Sequence, residues 1–181
     1  MCLRQRKLNC YLNKVPRLFI IGMPGSGKST IGRLLAHKMG LPFFDLDEVI
    51  VEQEGASVSS IFSAKGEGYF RQVESECLKK VTSQNEIFVM ATGGGSPCFH
   101  DGIDWMNSHG KTIFIDVATD TLIKRTAQQE ERPLLKTNPT ERIHKLYQER
   151  LSTYQKANVQ AQADQLNPEE IVELLIKAVN T

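Results

Sequence analysis

Short apolar runs alternate with longer amphipathic segments along this chain of 181 residues. The short runs are rich in β-branched and aromatic residues and are bounded by turn residues, a pattern typical of buried strands. They predict strands at 18–21, 42–45, 87–91, 111–117 and 159–163. The longer segments carry apolar residues three and four positions apart, which indicates amphipathic helices. These helices are predicted at 28–39, 67–82, 140–157 and 168–179.

Alternating strands and helices predict an α/β fold whose parallel sheet is covered by helices on both faces. We expect a three-layer α/β/α sandwich with five parallel strands, and ligands at the carboxyl ends of those strands. No internal repeat or low-complexity linker interrupts the pattern, so residues 16–181 are predicted to form one domain. The basic segment 1–15 is predicted to be a flexible extension that precedes the first strand.

Composition excludes several classes of function. The net charge is +1, with 40% hydrophobic and 24% charged residues, so neither nucleic acid nor a membrane surface is an expected partner. No apolar run approaches the ~20 residues that a membrane-spanning helix needs. The four cysteines show no CxxC spacing, which indicates reduced thiols in a cytoplasmic protein rather than a metal site.

The segment after the first predicted strand matches the phosphate-loop pattern G-x-x-x-x-G-K-[ST], with Gly22, Gly27, Lys28 and Ser29 at the specified positions. Glycines let successive backbone N–H groups point at phosphate oxygens, and the helix that follows offers its positive end to the same anion. The pattern therefore predicts a nucleoside triphosphate site. Its expected phosphate ligands are Gly25, Ser26, Gly27, Lys28, Ser29 and Thr30.

The loop alone does not separate kinases from other nucleotide hydrolases. The chain has no N-K-x-D motif, which a GTPase would normally carry for guanine, and it is short for a motor or transporter ATPase. A small kinase is the remaining interpretation.

Two aspartates close the second predicted strand. The two-residue period of a strand would put Asp45 and Asp47 on the same side, at the ligand edge of the sheet. Two carboxylates beside a triphosphate imply a cation, so Mg²⁺ is expected. One carboxylate would then serve the metal and the other would orient or deprotonate a hydroxyl. The alternative is that Asp47 only caps the next helix.

Arginines and a glycine run provide candidates for binding a second substrate. Arg71 and Glu74 are three residues apart on a predicted helix, so Glu74 could hold the guanidinium, although an arginine on a helix is usually just solvated. The triple glycine (Gly93, Gly94 and Gly95) follows a strand, where it could be a plain loop or could bring backbone close to a ligand.

Further arginines follow later in the chain. Arg132 follows a polar stretch and could be carried over the phosphates by a mobile lid near 125–139. Arg150 lies in the penultimate helix. Arginine binds carboxylate through two hydrogen bonds, so a small acceptor with one carboxylate would explain a pair of arginines.

Six motifs follow one another along the chain: the phosphate loop from Gly22, F-x-D-x-D, G-E-x-x-F-R-x-x-E, the triple glycine, R-P-L-L and E-R-x-x-x-Y. Taken together and in this order, they resemble the shikimate kinase family over residues 17–180. The resemblance implies a P-loop fold like that of nucleoside monophosphate kinases. It also implies phosphorylation of the 3-hydroxyl of shikimate by ATP and Mg²⁺, in aromatic amino acid synthesis.

The resemblance also implies individual roles. Lys28 and the loop amides would hold the phosphates, Ser29 would ligate Mg²⁺ with Asp45 in its outer shell, and Asp47 would contact the acceptor hydroxyl. Arg71 and Arg150 would clamp the carboxylate of shikimate while the triple glycine contacts its ring hydroxyls. The nucleotide would also be contacted by Arg132, Arg125 and Gln165, the last on the adenine side.

We therefore expect a monomeric kinase whose partner is a small molecule. The rival interpretations are a P-loop kinase for gluconate or a nucleoside monophosphate, and a nucleotide-binding regulatory module without turnover. The second is disfavoured because a binding module would not need Lys28, Asp47 and Arg132 together.

Overall fold

The computed structural model describes residues 17–127, 139–164 and 166–179. Five strands form one sheet in the order β2-β3-β1-β4-β5, and every pairing between neighbours is parallel. The strands are β1 (Arg17–Ile21), β2 (Phe43–Asp45), β3 (Phe88–Ala91), β4 (Lys111–Asp116) and β5 (Val159–Gln162). The predicted five-stranded parallel sheet is confirmed.

Seven α-helices connect or flank these strands within the described residues. They are α1 (Lys28–Met39), α2 (Leu46–Glu54), α3 (Val58–Gln84), α4 (Gly102–His109), α5 (Thr119–Thr126), α6 (Pro139–Tyr154) and α7 (Pro168–Val179). A 3₁₀ turn spans Ser96–Cys98. None of the described helices is both long and apolar enough to cross a membrane.

The central strands are buried along their whole length. All four residues of β3 are 0–1% exposed, and Leu18 to Ile21 of β1 are fully buried. Because successive strand residues point to opposite faces, burial of every residue means that both faces of the sheet are covered. Phe19 and Phe88 meet edge to face across the β1–β3 pairing, with ring centroids 5.4 Å apart.

Glycine fixes both ends of α1. The helix starts after Gly27, whose φ is 88°, and stops at Gly40, whose φ of 67° lies in the left-handed region that glycine adopts without strain. The backbone N–H of Gly40 bonds back to the carbonyls of Ala36 and His37, which satisfies the end of the helix. α1 is thereby held directly behind the loop that leaves β1.

Two predicted elements differ from the observed ones. The helix predicted at 67–82 begins at Val58, and Gly66 interrupts it with φ 78° and ψ 171°, so the glycine marks a kink rather than a start. The expectation that Asp45 and Asp47 point to the same side of one strand is wrong. The strand ends at Asp45, and Asp47 lies in the first turn of α2.

Segments 1–16 and 128–138 lie outside the described residues, and so do the predicted N-terminal extension and most of the predicted lid.

Candidate active site

The loop between β1 and α1 presents backbone N–H groups at the carboxyl edge of the sheet. Gly25 and Gly27 have φ of 83° and 88°, conformations that other residues rarely adopt. At Gly25 a side chain would also meet Thr126, whose Cγ2 lies 2.9 Å from the position of a Cβ. No side chain caps α1, and its first turn holds no acidic residue. The amides at the start of this helix are therefore available to an anion.

Two polar side chains of the loop also indicate an anion site. Ser26 is 1% exposed, and its Oγ has no hydrogen-bond partner within the described part of the chain. A buried hydroxyl without a partner is costly, so it fits a site that a ligand with acceptor oxygens completes. Lys28 is buried beside it, and its Nζ donates a 2.9 Å bond to the Met23 carbonyl. That bond holds the ammonium group across the loop.

A cavity of about 470 Å³ opens beside the loop. Arg125 stands on its wall, where Nη1 lies 3.4 Å from the Gly25 carbonyl oxygen that it donates to. The cavity is large enough for a nucleotide, and its far wall is largely apolar. The lining residues are Gly25, Ser26, Gly27, Lys28, Ser29, Thr30, Ile31, Arg125, Ala163, Leu166, Pro168 and Ile171.

The far wall was missed by sequence reasoning. Gln165, predicted to contact the base, lies outside the described residues, but its neighbour Leu166 lines the cavity together with Pro168 and Ile171 at the start of α7. These residues belong to no phosphate motif. Their only sequence signal is their position after the last strand, at the edge where ligands bind in such sheets.

Ser29 and Asp45 meet at the end of β2. The Ser29 hydroxyl donates a 2.6 Å hydrogen bond to Oδ2 of Asp45. The other carboxylate oxygen, Oδ1, accepts the backbone N–H of Asp47 at 3.1 Å and caps α2. Capping therefore belongs to Asp45, and the alternative that Asp47 is the cap is wrong. This leaves the Asp47 carboxylate outside the capping contact.

The triple glycine gathers the remaining predicted residues. A Cβ on the first glycine would lie 3.4 Å from Oδ1 of Asp47, and one on the second would lie 3.3 Å from Nη1 of Arg150. On the third, it would lie 2.6 Å from Nη2 of Arg71. A side chain at this turn would occupy the space that these charged groups share. The structure thus brings Asp47, Arg71 and Arg150 together from three different helices.

The turn also touches the phosphate loop. A Cβ on Gly94 would lie 2.9 Å from Cδ of Pro24 and 3.2 Å from the carbonyl oxygen of Gly22. The phosphate loop and the charged cluster around the triple glycine are therefore two sides of one site.

Arg71 is buried among acidic and aromatic groups. Nη1 donates to Oε2 of Glu74 at 2.7 Å, and Nη2 donates to Oε1 of Glu67 at 3.0 Å. Burial acts to lower the pKa of Arg71, but the charge and hydrogen bonds of Glu74 and then Glu67 outweigh it and raise that pKa. The guanidinium is therefore held as a cation out of bulk water.

Aromatic rings surround the same guanidinium. Its Cζ lies 4.7 Å from the ring centroid of Phe99, 5.2 Å from that of Phe70 and 5.8 Å from that of Phe62. The contact with Phe99 was not predicted, because no local spacing relates it to Arg71. The attraction between the cation and these rings adds to the ion pairs in fixing the plane of the guanidinium group.

Glu74 reaches a second partner across the chain. Its Oε1 accepts a 2.6 Å hydrogen bond from the Ser96 hydroxyl, directly after the triple glycine. The glutamate thereby ties α3 to the turn. The predicted ion pair between Arg71 and Glu74 is present, whereas the bond to Ser96 was missed.

Arg132 lies outside the described residues, so its expected place over the phosphates stays a prediction. Among the residues that the structure describes, no cluster of three or more His, Cys, Asp or Glu side chains could hold a metal by itself. Any cation at the Ser29–Asp45 contact would have to be completed by water or phosphate oxygens, as is usual for Mg²⁺.

Fold and loop together define a P-loop phosphotransferase of the type of the nucleoside monophosphate kinases. The model of the family described as shikimate kinase matches residues 24–180. A shikimate kinase of Aquifex aeolicus is 40% identical over 160 residues, which cover 88% of this chain and 94% of that protein. The chain belongs to the shikimate kinase family.

Solved structures agree with this assignment. A shikimate kinase from Acinetobacter baumannii, in complex with shikimate, superposes with a TM-score of 0.88 at 27% identity. The match covers 94% of this chain and 96% of that one. A gluconokinase from Sinorhizobium meliloti reaches a TM-score of 0.57 at 16% identity over 91% of both chains, which is a likeness of fold alone. The expected activity, phosphorylation of shikimate by ATP in aromatic amino acid synthesis, is confirmed by the family.

Proposed function

We propose that the residues gathered at the carboxyl edge of the sheet perform this reaction, with the γ-phosphoryl group of ATP passing to the 3-hydroxyl of shikimate. The observation that carries the assignment is the triple glycine, which contacts the phosphate loop on one side and the cluster of Asp47, Arg71 and Arg150 on the other. An acceptor held by that cluster would lie next to the terminal phosphate.

The nucleotide occupies the 470 Å³ cavity. Loop amides from Gly25 to Thr30, together with Lys28, hold its phosphates, and Arg125 adds a contact from α5. The unpartnered Ser26 hydroxyl and the uncapped start of α1 support this role, because both are satisfied by phosphate oxygens. The apolar wall at Leu166 and Pro168 suits a flat base. Gln165, outside the described residues, is proposed to contact that base.

Mg²⁺ is proposed at the contact between Ser29 and Asp45. A hydroxyl and a carboxylate 2.6 Å apart supply the hard oxygen ligands that this cation prefers. Ser29 would ligate it directly and Asp45 through water. When bound, the cation neutralises charge on the β and γ phosphates.

The acceptor is held through its carboxylate. Arg71 and Arg150 are 5% and 6% exposed, and two buried guanidinium groups facing one turn suit a planar anion. The backbone of Gly93 to Gly95 contacts the ring hydroxyls. Asp47, beside the first of these glycines, orients the attacking hydroxyl and accepts its proton.

The transfer is then in-line displacement within a fixed geometry. Lys28 stabilises the negative charge that develops on the transferring group, and Arg132 is proposed to do so from the segment outside the described residues. Clamping the carboxylate holds the hydroxyl at the phosphate, so the attack becomes effectively intramolecular.

We propose a monomer as the working unit. A role for nucleic acid or a membrane has no support in the net charge of +1. We place the reaction in the cytoplasm, where ATP is available and where the free thiols Cys77 and Cys98 would stay reduced.

A coupled ADP-release assay tests the proposal. With ATP and Mg²⁺ present, ADP release is expected with shikimate, and not with gluconate, with a nucleoside monophosphate or without acceptor. Lys28→Ala, purified in the same way, controls for contaminating kinases and should release no ADP. ADP release that does not depend on shikimate would overturn the proposal.

A further inference from the structure

The hydroxyl of Tyr154 lies at the junction between the phosphate loop and the triple glycine. Tyr154 ends α6, four residues after Arg150, and its side chain is fully buried. Its ring packs on Phe114 of β4 with centroids 5.1 Å apart. This packing alone would make it an ordinary core residue, for which phenylalanine would serve equally well.

The polar end of Tyr154 makes a different set of contacts. Its hydroxyl donates a 2.6 Å hydrogen bond to the carbonyl oxygen of Gly94 and lies 3.8 Å from Sδ of Met23 in the phosphate loop. The carbonyl that it binds belongs to the middle of three glycines, a backbone with few side-chain restraints of its own. The bond fixes the orientation of that peptide.

Arg150 acts on the same hydroxyl. Burial raises the pKa of the Tyr154 hydroxyl, whereas the charge of Arg150 and its side-chain hydrogen bond to the hydroxyl act in the opposite direction. Residues four apart on a helix lie on one face, which places the two side chains side by side. Nη1 of Arg150 also lies at this turn, 3.3 Å from the position that a Cβ on Gly94 would take. The protonated hydroxyl, which donates to the Gly94 carbonyl, and the guanidinium therefore meet at the same peptide.

We propose that Tyr154 is a positioning residue for the acceptor, whose hydroxyl holds the Arg150 guanidinium and the Gly94 peptide in a fixed relation to each other. The inference rests on the proposed function, in which Arg150 binds the carboxylate and the triple glycine binds the ring hydroxyls. A single buried O–H thereby sets the spacing between two contacts to the same small molecule.

The structure offers an internal control. Tyr147 lies on the same helix, and its hydroxyl donates a 2.9 Å hydrogen bond to Oδ1 of Asp116, away from the triple glycine. Removing either hydroxyl deletes one oxygen atom and its hydrogen bond to a carbonyl or carboxylate oxygen outside α6. Only the Tyr154 bond reaches the acceptor side, so the two variants separate positioning from general stability.

The experiment compares Tyr154→Phe with Tyr147→Phe in steady-state assays of the whole chain. For Tyr154→Phe, KM for shikimate is expected to rise about fivefold to tenfold, as the loss of one buried hydrogen bond implies. KM for ATP should change less than about twofold, because the loop is held by its own bonds. For Tyr147→Phe, both KM values should match those of the parent chain.

A rescue distinguishes the hydrogen bond from the fit of the ring. Replacing Tyr154 with 4-aminophenylalanine keeps an N–H donor and should restore KM for shikimate, whereas 4-methylphenylalanine fills the space without a donor and should not. This pair also applies if phenylalanine at this position folds poorly, because both analogues keep the volume of the side chain. Circular dichroism and Tm verify that each variant is folded.

Three results would overturn the inference. An unchanged KM for shikimate in Tyr154→Phe would reduce the residue to core packing. An equal rise in KM for shikimate and for ATP would indicate that the whole site is disturbed, rather than the acceptor contacts alone. Equal behaviour of the two analogues would exclude the hydrogen bond. If the parent chain itself releases no ADP in response to shikimate, the proposed function fails first and this inference fails with it.

Discussion

The Nη1 atom of Arg71 and the Oε2 atom of Glu74 are 2.7 Å apart, and both side chains are almost completely buried. The carboxylate uses its other oxygen to bind Ser96, and its burial keeps bulk water from compensating for a change in charge. Removing one partner of such a pair leaves the other charge buried and unpaired, which costs more than the pair contributes when it is intact.

Glu74→Gln is therefore expected to lower the free energy of unfolding by about 1–3 kcal/mol, because the amide keeps one hydrogen bond but loses the charge beside the guanidinium. Urea denaturation measures the change. Glu67→Gln is the matched control: Glu67 binds the same guanidinium at 3.0 Å, but its side chain is 45% exposed. The control should lose no more than about 1 kcal/mol. Equal losses would contradict the importance of the buried pair.

Arg71→Lys should raise KM for shikimate about tenfold or more, since a planar fork with two donors becomes a single ammonium group. KM for ATP should remain near that of the parent chain, because Arg71 lies on the proposed acceptor side of the triple glycine. Arg33→Lys makes the same change on an exposed side chain that contacts Phe43 and should leave both values unchanged. An unchanged KM for shikimate in Arg71→Lys would remove Arg71 from the carboxylate clamp.

Asp47→Asn should reduce kcat by ~10² or more, because an amide cannot accept the proton of the attacking hydroxyl. The backbone N–H of Asp47 would still bind Asp45, so the start of α2 should remain intact. Asp104→Asn alters an exposed aspartate of α4 and is expected to have no effect. If Asp47→Asn turned over at nearly the parent rate, Asp47 would be neither base nor orienting group.

The elements that could be predicted from the sequence are those whose signal is local. The strand predicted at 18–21 agrees with β1 except that β1 begins one residue earlier, at Arg17. It could be predicted because a strand that is buried on both faces is a continuous apolar run. The helix at Lys28–Met39 was predicted at both ends, since a phosphate loop precedes it and Gly40 follows it. The helix α2 was missed because its first residues, Leu46 and Asp47, continue the alternation of the strand.

The site likewise contains residues that a local sequence pattern identifies and residues that no local pattern identifies. The phosphate loop is contiguous, so its residues could be identified from their spacing alone. The hydrogen bond between Tyr154 and Gly94 joins residues 60 positions apart, and the one between Ser96 and Glu74 spans 22. No local pattern contains such bonds, because they exist only after the helices have packed on the sheet. Sequence therefore predicted several of the residues that the structure brings together and missed several of those that hold them in place.

Asp45→Asn is expected to raise the Mg²⁺ concentration needed for half-maximal activity. Asparagine retains a side-chain oxygen that can accept the N–H of Asp47, so capping of α2 should survive while the negative charge is lost. Titration of MgCl₂ at saturating ATP measures the shift, and the rate at saturating Mg²⁺ should recover in large part. An unchanged titration would exclude Asp45 from the proposed metal site.

Two glycines within helices should respond in opposite ways to alanine. At Gly68 of α3 a Cβ would meet no atom within 4 Å, so Gly68→Ala should raise the free energy of unfolding by about 0.5–1 kcal/mol through helix propensity. At Gly32 of α1 a Cβ would lie 2.6 Å from Cε2 of Phe43 and 3.2 Å from Cδ1 of Ile20.

The overlap at Gly32 is expected to outweigh that gain, because added volume in a packed interior costs about 1–3 kcal/mol. Thermal unfolding should therefore give a lower Tm for Gly32→Ala and a higher Tm for Gly68→Ala than for the parent chain. The double variant Gly32→Ala, Phe43→Leu removes the ring that the new methyl would strike. Its Tm should exceed that of Phe43→Leu alone, and a further drop would show that the contact with Ile20, or the backbone itself, forbids a side chain at this position.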